Sequence, residues 1–239
     1  MKTLVIGSGR MGRRHIQVVK DLNLEIDGVL DFSQDVLDIT REEHNIPSDR
    51  LFTSVDEAFN NTSAELVIIS TTAPFHLEYV EKAAEYGAKY ILCEKPMATS
   101  IEDCDRILQI CDENNIKLAI NHQMRFMDQY TIPKALLESP AHGGLASMTV
   151  LAGNFGFAMN GSHYFEAFRF MAEDAPARVS AWFSDEILAN PRGPQFEDRA
   201  GSVRIETTSG KRYYMDIGTD QGHGMHVSYM SRNGRIDID

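Results

Sequence analysis

No run of apolar residues in this sequence approaches the roughly 20 that a membrane-crossing helix needs. A charged and apolar leader is missing as well, since the chain passes from Met1 almost directly into Leu4, Val5 and Ile6; the expectation is a cytoplasmic protein without a signal peptide. Cysteine is scarce. Cys93, Cys104 and Cys111 form an odd set without C-x-x-C spacing, which excludes a disulfide framework or a zinc knuckle as the organising device. In that setting the Asn-x-Ser/Thr matches at Asn60 and Asn160 carry no meaning. Positive charge is also in deficit, with 23 Lys and Arg against 35 Asp and Glu. A net charge of −12 argues against a nucleic-acid surface, because duplex binding needs a basic face to displace counterions. Neither internal repeats nor low-complexity segments occur. What remains is a chain of 239 residues, 43% hydrophobic, able to bury the core of one large or two small domains. Small-molecule chemistry is the expected business of such a chain.

The informative stretch is Gly7-Ser-Gly-Arg-Met-Gly12. Three glycines in G-x-G-x-x-G spacing are weak evidence alone, but here an apolar, β-branched run precedes them and a helical pattern from His15 to Leu22 follows. Between strand and helix each glycine has a task. Gly7 permits the tight turn, Gly9 lets the backbone approach a pyrophosphate, and Gly12 lets the helix pack close to the strand. The helix N-terminus then offers unpaired N–H groups to the phosphates. A second strand, Glu25 to Leu30, ends in Asp31, which stands about 20 residues beyond Gly12, the offset of a carboxylate for the adenosine ribose. After Asp31 come Phe32, Ser33, Gln34 and Asp35 with no Arg or Lys to meet a 2′-phosphate, so NAD is expected over NADP. Arg10 is placed to reach a phosphate, whereas Arg13 and Arg14 read as a solvated helix face.

Strands and helices alternate through Asn121: helix 34–44, strand 51–53, helix 55–60, strand 66–70, helix 74–86, strand 90–93, helix 101–114, strand 117–121. This pattern predicts an α/β domain, a doubly wound parallel Rossmann sheet over residues 1–122. Pro74 suits a helix first turn, Gly87 a helix stop, and Ser100 a capping position with an acid three residues on. From 123 to 239 the texture changes to longer amphipathic strands at 147–152, 178–183, 202–207 and 212–217. A turn at Thr208–Lys211 and one strong helix, 164–172, complete an expected α+β domain with a mostly antiparallel open sheet.

Residues 91–98, Ile-Leu-Cys-Glu-Lys-Pro-Met-Ala, carry a resemblance. Glu94-Lys95-Pro96 after the fifth strand, the glycine turn, Thr71-Thr72-Ala-Pro74 with His76, Gln123-Met-Arg125-Phe126 and Gly161-Ser-His163-Tyr-Phe-Glu166 together resemble the Gfo/Idh/MocA family of dehydrogenases, such as glucose-fructose oxidoreductase and inositol dehydrogenase. The motifs stand in family order along nearly the whole chain. Spacing alone puts Thr71, Thr72, Glu94 and Lys95 just after strands, where a doubly wound sheet takes its ligand. The resemblance implies more: an NAD-dependent oxidoreductase whose cofactor meets Gly7, Ser8, Gly9, Arg10, Met11, Gly12, Asp31, Thr71, Thr72, His76, Glu94, Lys95, Gln123 and Arg125. It implies a sugar or nucleotide-sugar substrate on Lys95, Arg125, His163 and Glu166. Lys95 would lie beside the nicotinamide and hold the reacting hydroxyl, and His163 would exchange its proton, with Tyr164 as the substitute. The chemistry wants such groups, because hydride leaves a carbinol carbon only as the O–H proton is lost.

Two departures from the family pattern stand out. Several sugar dehydrogenases of the family carry an Asp four residues before the catalytic His, where this chain has Met159, and the usual Asp three after it is Glu166. They leave open an alternative, a cofactor-binding sensor or assembly protein that has lost its chemistry. Arg192, Arg199 and Arg204 are candidate phosphate partners by charge alone. His223 and His226 form a possible polar cluster without a convincing ligand set, so no metal is expected. Chains that resemble this one are usually longer, so either the second sheet is shortened or the sequence is a fragment of a longer chain, and a sheet that stops there is expected to bury its open face in a homo-oligomer, a dimer or tetramer.

Overall fold

The computed structural model describes residues 1–239 except 154, 189, 191–192, 194–195, 222–223, 239 and the side chain of Glu186. The chain divides into two compact units, Met1–Asn121 and His122–Asp239.

The first unit is a parallel sheet of six strands in the order β3-β2-β1-β4-β5-β6. Its strands are β1 (Lys2–Ile6), β2 (Glu25–Leu30), β3 (Leu51–Phe52), β4 (Leu66–Ile69), β5 (Tyr90–Cys93) and β6 (Lys117–Ile120). Between them run α1 (Arg10–Asp21), α2 (Gln34–His44), α3 (Val55–Asn60), α4 (His76–Glu85) and α5 (Ile101–Glu113). Strands covered on both faces must be apolar throughout, and Leu4, Val5 and Ile6 are at most 1% exposed. Serine hydroxyls start three of the helices: Ser33 accepts from the Val36 N–H, Ser54 from Glu57 and Ser100 from Asp103. Gly87, at φ +78°, ends the turn after α4 in a conformation that side chains resist. Two helix boundaries in this unit differ from the sequence pattern by more than one residue. The first helix begins at Arg10, directly after the glycine turn, and Pro74 lies in a separate 3-10 turn, Ala73–Phe75, so that α4 starts at His76. Strand order reverses between β1 and β4, the place where an open α/β sheet forms its ligand crevice.

The second unit is a mixed sheet in the order β12-β11-β7-β10-β9-β8. Its strands are β7 (Leu145–Gly153), β8 (Pro176–Ile187), β9 (Arg199–Thr207), β10 (Arg212–Gly218), β11 (His226–Ser231) and β12 (Arg235–Ile238). Only β7 and β10 pair in parallel among these neighbours; the rest are antiparallel, and the 208–211 turn joins β9 to β10. Period-two alternation sends Met148, Val150, Tyr213, Met215, Val227 and Tyr229, each at most 2% exposed, to one face. There they meet Tyr164, Ala167, Phe168 and Met171 of α7 (Ser162–Ala172) and Tyr130 and Leu137 of α6 (Asp128–Glu138). Helix α6 is a correction, since the sequence pattern offered one helix in this unit. Pro133 in its interior and the β-branched pair Thr131 and Ile132 hide the helical signal, yet Tyr130, Pro133 and Leu137 fall on one buried face.

Candidate active site

In the first unit the glycine turn closes as its residue types require. Gly7 holds φ +83°, and its N–H donates to the Leu30 carbonyl at 2.8 Å. A Cβ on Gly12 would stand 1.9 Å from the Gly7 carbonyl oxygen, a backbone atom that cannot move aside, so only glycine lets α1 approach β1. A Cβ on Gly9 would meet nothing within 4 Å, which leaves open space over the turn. No side chain caps α1 at Gly9, and its first turn carries no acid. The first N–H groups therefore face outward for an anion.

Asp31 stands against this turn. Its Oδ2 accepts from the Ser8 N–H at 2.8 Å and its Oδ1 from the Ser33 N–H at 3.0 Å. A carboxylate has about four acceptor sites, so these bonds orient it and leave lone pairs for ribose hydroxyls. Ser8 is fully buried, while Arg10 is exposed and Met11 half-buried beside it. Arg13 is not the solvated residue expected: its Nη1 donates to the Ser8 carbonyl at 3.1 Å and its Nε pairs with Glu43 at 2.9 Å. The uncapped helix end, the space over Gly9 and the oriented Asp31 fit a dinucleotide pyrophosphate and adenosine ribose.

Past β4, Thr71 and Thr72 are half-buried at the same sheet edge. His76 corrects its expected role, because the ring is completely buried between the Thr71 and Met97 carbonyl oxygens, each 3.2 Å away. It braces two loops instead of presenting to a ligand. Glu94 likewise turns inward at 7% exposure, with Oε1 2.7 Å from both His15 Nε2 and Asn121 Nδ2. Burial alone would push its carboxyl up. Hydrogen bonds from His15 and Asn121, the attraction of His15 and the Lys95 backbone N–H outweigh that and hold it below its ordinary value. Lys95, half-buried, follows at once, and the Lys95–Pro96 peptide is cis. The sequence reading missed His15 and Asn121. The available signal was a histidine on the buried face of α1, beside Ile16 and one turn before Val19.

In the second unit His163 is the second residue of α7, 9% exposed, with its ring edge-to-face to His122 at 5.5 Å between centroids. Sequence reasoning missed His122. Gln123 and Arg125 lie in a 3-10 turn, Gln123–Phe126. The Arg125 guanidinium sits 3.4 Å from Glu166 Oε1 and 4.7 Å above the Phe170 ring, so two expected substrate contacts hold each other. Burial pushes the Glu166 carboxyl up, with Arg125 and Arg169 opposing. At Met159, where the family pattern has an acid, the backbone N–H receives one from elsewhere. Buried Asp198 accepts from the Ala158 N–H at 2.8 Å and the Met159 N–H at 2.9 Å. A Cβ on Gly156 would lie 2.1 Å from the Asp198 carboxyl carbon, so glycine there makes room for the acid. Neither Gly156 nor Asp198 stood out in the sequence.

The other candidates fall away from this cluster. Arg204 lies over Tyr214, on the sheet face opposite the one that α7 covers, and pairs with Glu206. Arg199 bonds the Ser184 carbonyl and pairs with Glu197. His226, on β11, stands 3.8 Å from Asp237 of β12. Arg192 and His223 lie outside the described residues. Among the described residues no three His, Cys, Asp or Glu side chains gather as a metal-ligand group, and no helix is long and apolar enough to cross a membrane.

The model of the GFO_IDH_MocA oxidoreductases, described as having an NAD-binding Rossmann fold, matches residues 1–122. The chain belongs to that family, and residues 1–122 are its NAD-binding Rossmann fold. Inositol 2-dehydrogenase 1 of Paenarthrobacter aurescens is 27% identical, over 95% of this chain and 70% of its own. The 2,7-anhydro-N-acetylneuraminate hydratase of Mediterraneibacter gnavus is 34% identical, over 38% of this chain and 24% of its own. The WlbA dehydrogenase of Bordetella pertussis, solved with NADH and UDP-GlcNAcA, shares the fold at a TM-score of 0.83 and 18% identity, covering 99% of this chain and 77% of that one. Three of the curated relatives are matched over only 24% to 44% of their own length.

Proposed function

We propose that this protein transfers a hydride between a hydroxyl-bearing carbon of a sugar or nucleotide sugar and bound NAD. The observation that carries the reading is the first unit's cofactor frame: a glycine turn that admits no side chain at Gly12, Asp31 oriented on it, and Glu94-Lys95 at the end of β5. Bound NAD supplies the hydride acceptor. Lys95 holds the reacting hydroxyl, where a cation stabilises charge developing on oxygen. His163 exchanges the hydroxyl proton. Arg125 and Glu166 are proposed to meet substrate hydroxyls as a pair, in keeping with their mutual contact. Likeness to an inositol dehydrogenase and to a dehydrogenase solved with UDP-GlcNAcA supports a polyhydroxylated substrate.

Met159 favours a second reading, a cofactor-binding sensor without chemistry. Asp198 weighs against it, because it returns a carboxylate to the turn that precedes His163. Reduction of NAD, followed by absorbance against a panel of sugars, inositols and nucleotide sugars, separates the two. Turnover with any member supports the enzyme; tight NAD binding with no turnover across the panel supports the sensor.

The second unit is proposed to bury its open sheet face against another copy. Trp182 of β8 is 81% exposed there, with Leu151 of β7 and Tyr214 of β10 on the same face. The exposed Trp182 ring is the feature that supports a partner on this face.

A further inference from the structure

Glu94 is a buried acid to which the proposed reaction gives no task, and it stands between the end of β5 and Lys95. Two side-chain nitrogens reach one of its oxygens at 2.7 Å, His15 from α1 and Asn121 from the end of β6. These donors and the Lys95 backbone N–H keep it ionised against the cost of burial. The other groups around it are the Cys93 thiol, pushed up to about 12 by burial and by Glu94 itself and hence neutral, and the Lys95 side chain next in sequence. A desolvated anion of this kind acts through a low local dielectric and does not reorient when the ligand changes.

Its place in the sheet says what it acts on. Asp31, at the end of β2, marks the adenosine side of the crevice, and the uncapped start of α1 beside β1 marks the pyrophosphate. The second half of a dinucleotide therefore extends over β4 and β5, where Glu94 ends its strand. The oxidised nicotinamide ring carries a positive charge that the reduced ring lacks. We propose that Glu94 is a fixed anion that favours the oxidised over the reduced dinucleotide, and that His15 and Asn121 are positioning residues that hold it there. The inference rests on the reading of the first unit as an NAD site and is independent of the sugar reading.

The test compares the affinities of NAD⁺ and NADH by calorimetry for the full chain, Glu94→Gln, His15→Leu and His15→Asn. Glu94→Gln is expected to weaken NAD⁺ several-fold more than NADH, because the lost unit charge acts on the charged ring and not on the neutral one. His15→Leu is expected to shift the ratio the same way, and His15→Asn, which keeps a donor, to restore most of it. Equal loss of both dinucleotides in Glu94→Gln reduces the cluster to a brace and overturns the proposal. If that variant does not fold, the ratio in His15→Leu decides in the same terms. A parent that binds neither dinucleotide refutes the NAD reading and this proposal together, whereas failure of the sugar panel leaves the comparison intact.

Discussion

Asp31 was readable from its offset beyond the glycines, but its two backbone partners were not, because Ser8 and Ser33 are brought to it only by the fold. Asp31→Ala is expected to weaken NAD by about 1.5 to 3 kcal/mol, the worth of hydrogen bonds to a charged group. Calorimetry checks it, and unchanged affinity would remove the ribose assignment. Two other acids carry opposite pH signatures. Glu94 is held below its ordinary value, so the stability it contributes is fully present above the unfolded value near 4.3 and is lost as pH falls through the lower folded one. Glu166 is pushed up by burial, so its contribution is present below the unfolded value and is lost as pH rises through the folded one. In denaturant titrations, the deficit of Glu94→Gln relative to the parent should shrink on acidification. That of Glu166→Gln should shrink towards neutrality. Parallel stability curves for parent and variants would contradict both assignments.

Among the elements, the Rossmann half was legible almost strand by strand because its signals are local: apolar runs of four to six residues, serine caps and the glycine turn. The second half was legible as strands β7 to β10 but not as a sheet, and β11 and β12 were not among the strands that the alternation marked. Neither the β7–β10 parallel pairing nor the strand order follows from alternation, since pairing is decided by contacts far apart in sequence. Helix α6 was hidden by Pro133, which costs the helix a hydrogen bond but is held by its buried face. The site was legible where motifs carry it and dark where partners do: Glu94 and His163 stood out, whereas His15, Asn121, His122 and Asp198 acquire meaning only from what they touch. The strand–turn–helix unit gives a sharp test. Gly12→Ala sets a methyl 1.9 Å from a backbone oxygen, so it should abolish NAD binding and lower the melting temperature. An alanine variant that binds NAD normally would mean that α1 does not pack on β1 in this way.

At the scale of the whole molecule, the exposed sheet face and the chemistry make separate claims. Trp182→Glu, on the open face of β8, should convert an oligomer to a smaller species by light scattering, and a parent that is already monomeric at micromolar concentration would count against the interface. The most direct measurement of the proposed chemistry is kcat for the parent, Lys95→Met, His163→Ala and the double variant, with the panel substrate that the parent turns over. Lys95→Met should lower kcat by about 10²-fold or more while NAD affinity stays within about twofold, since the lysine acts on the developing oxygen charge. His163→Ala should fall by about 10²- to 10⁴-fold and lose a limb of the pH profile. The double variant should lose less than the product of the two, because both groups act on one oxygen in one step. A Lys95→Met enzyme with near-normal kcat would contradict the account.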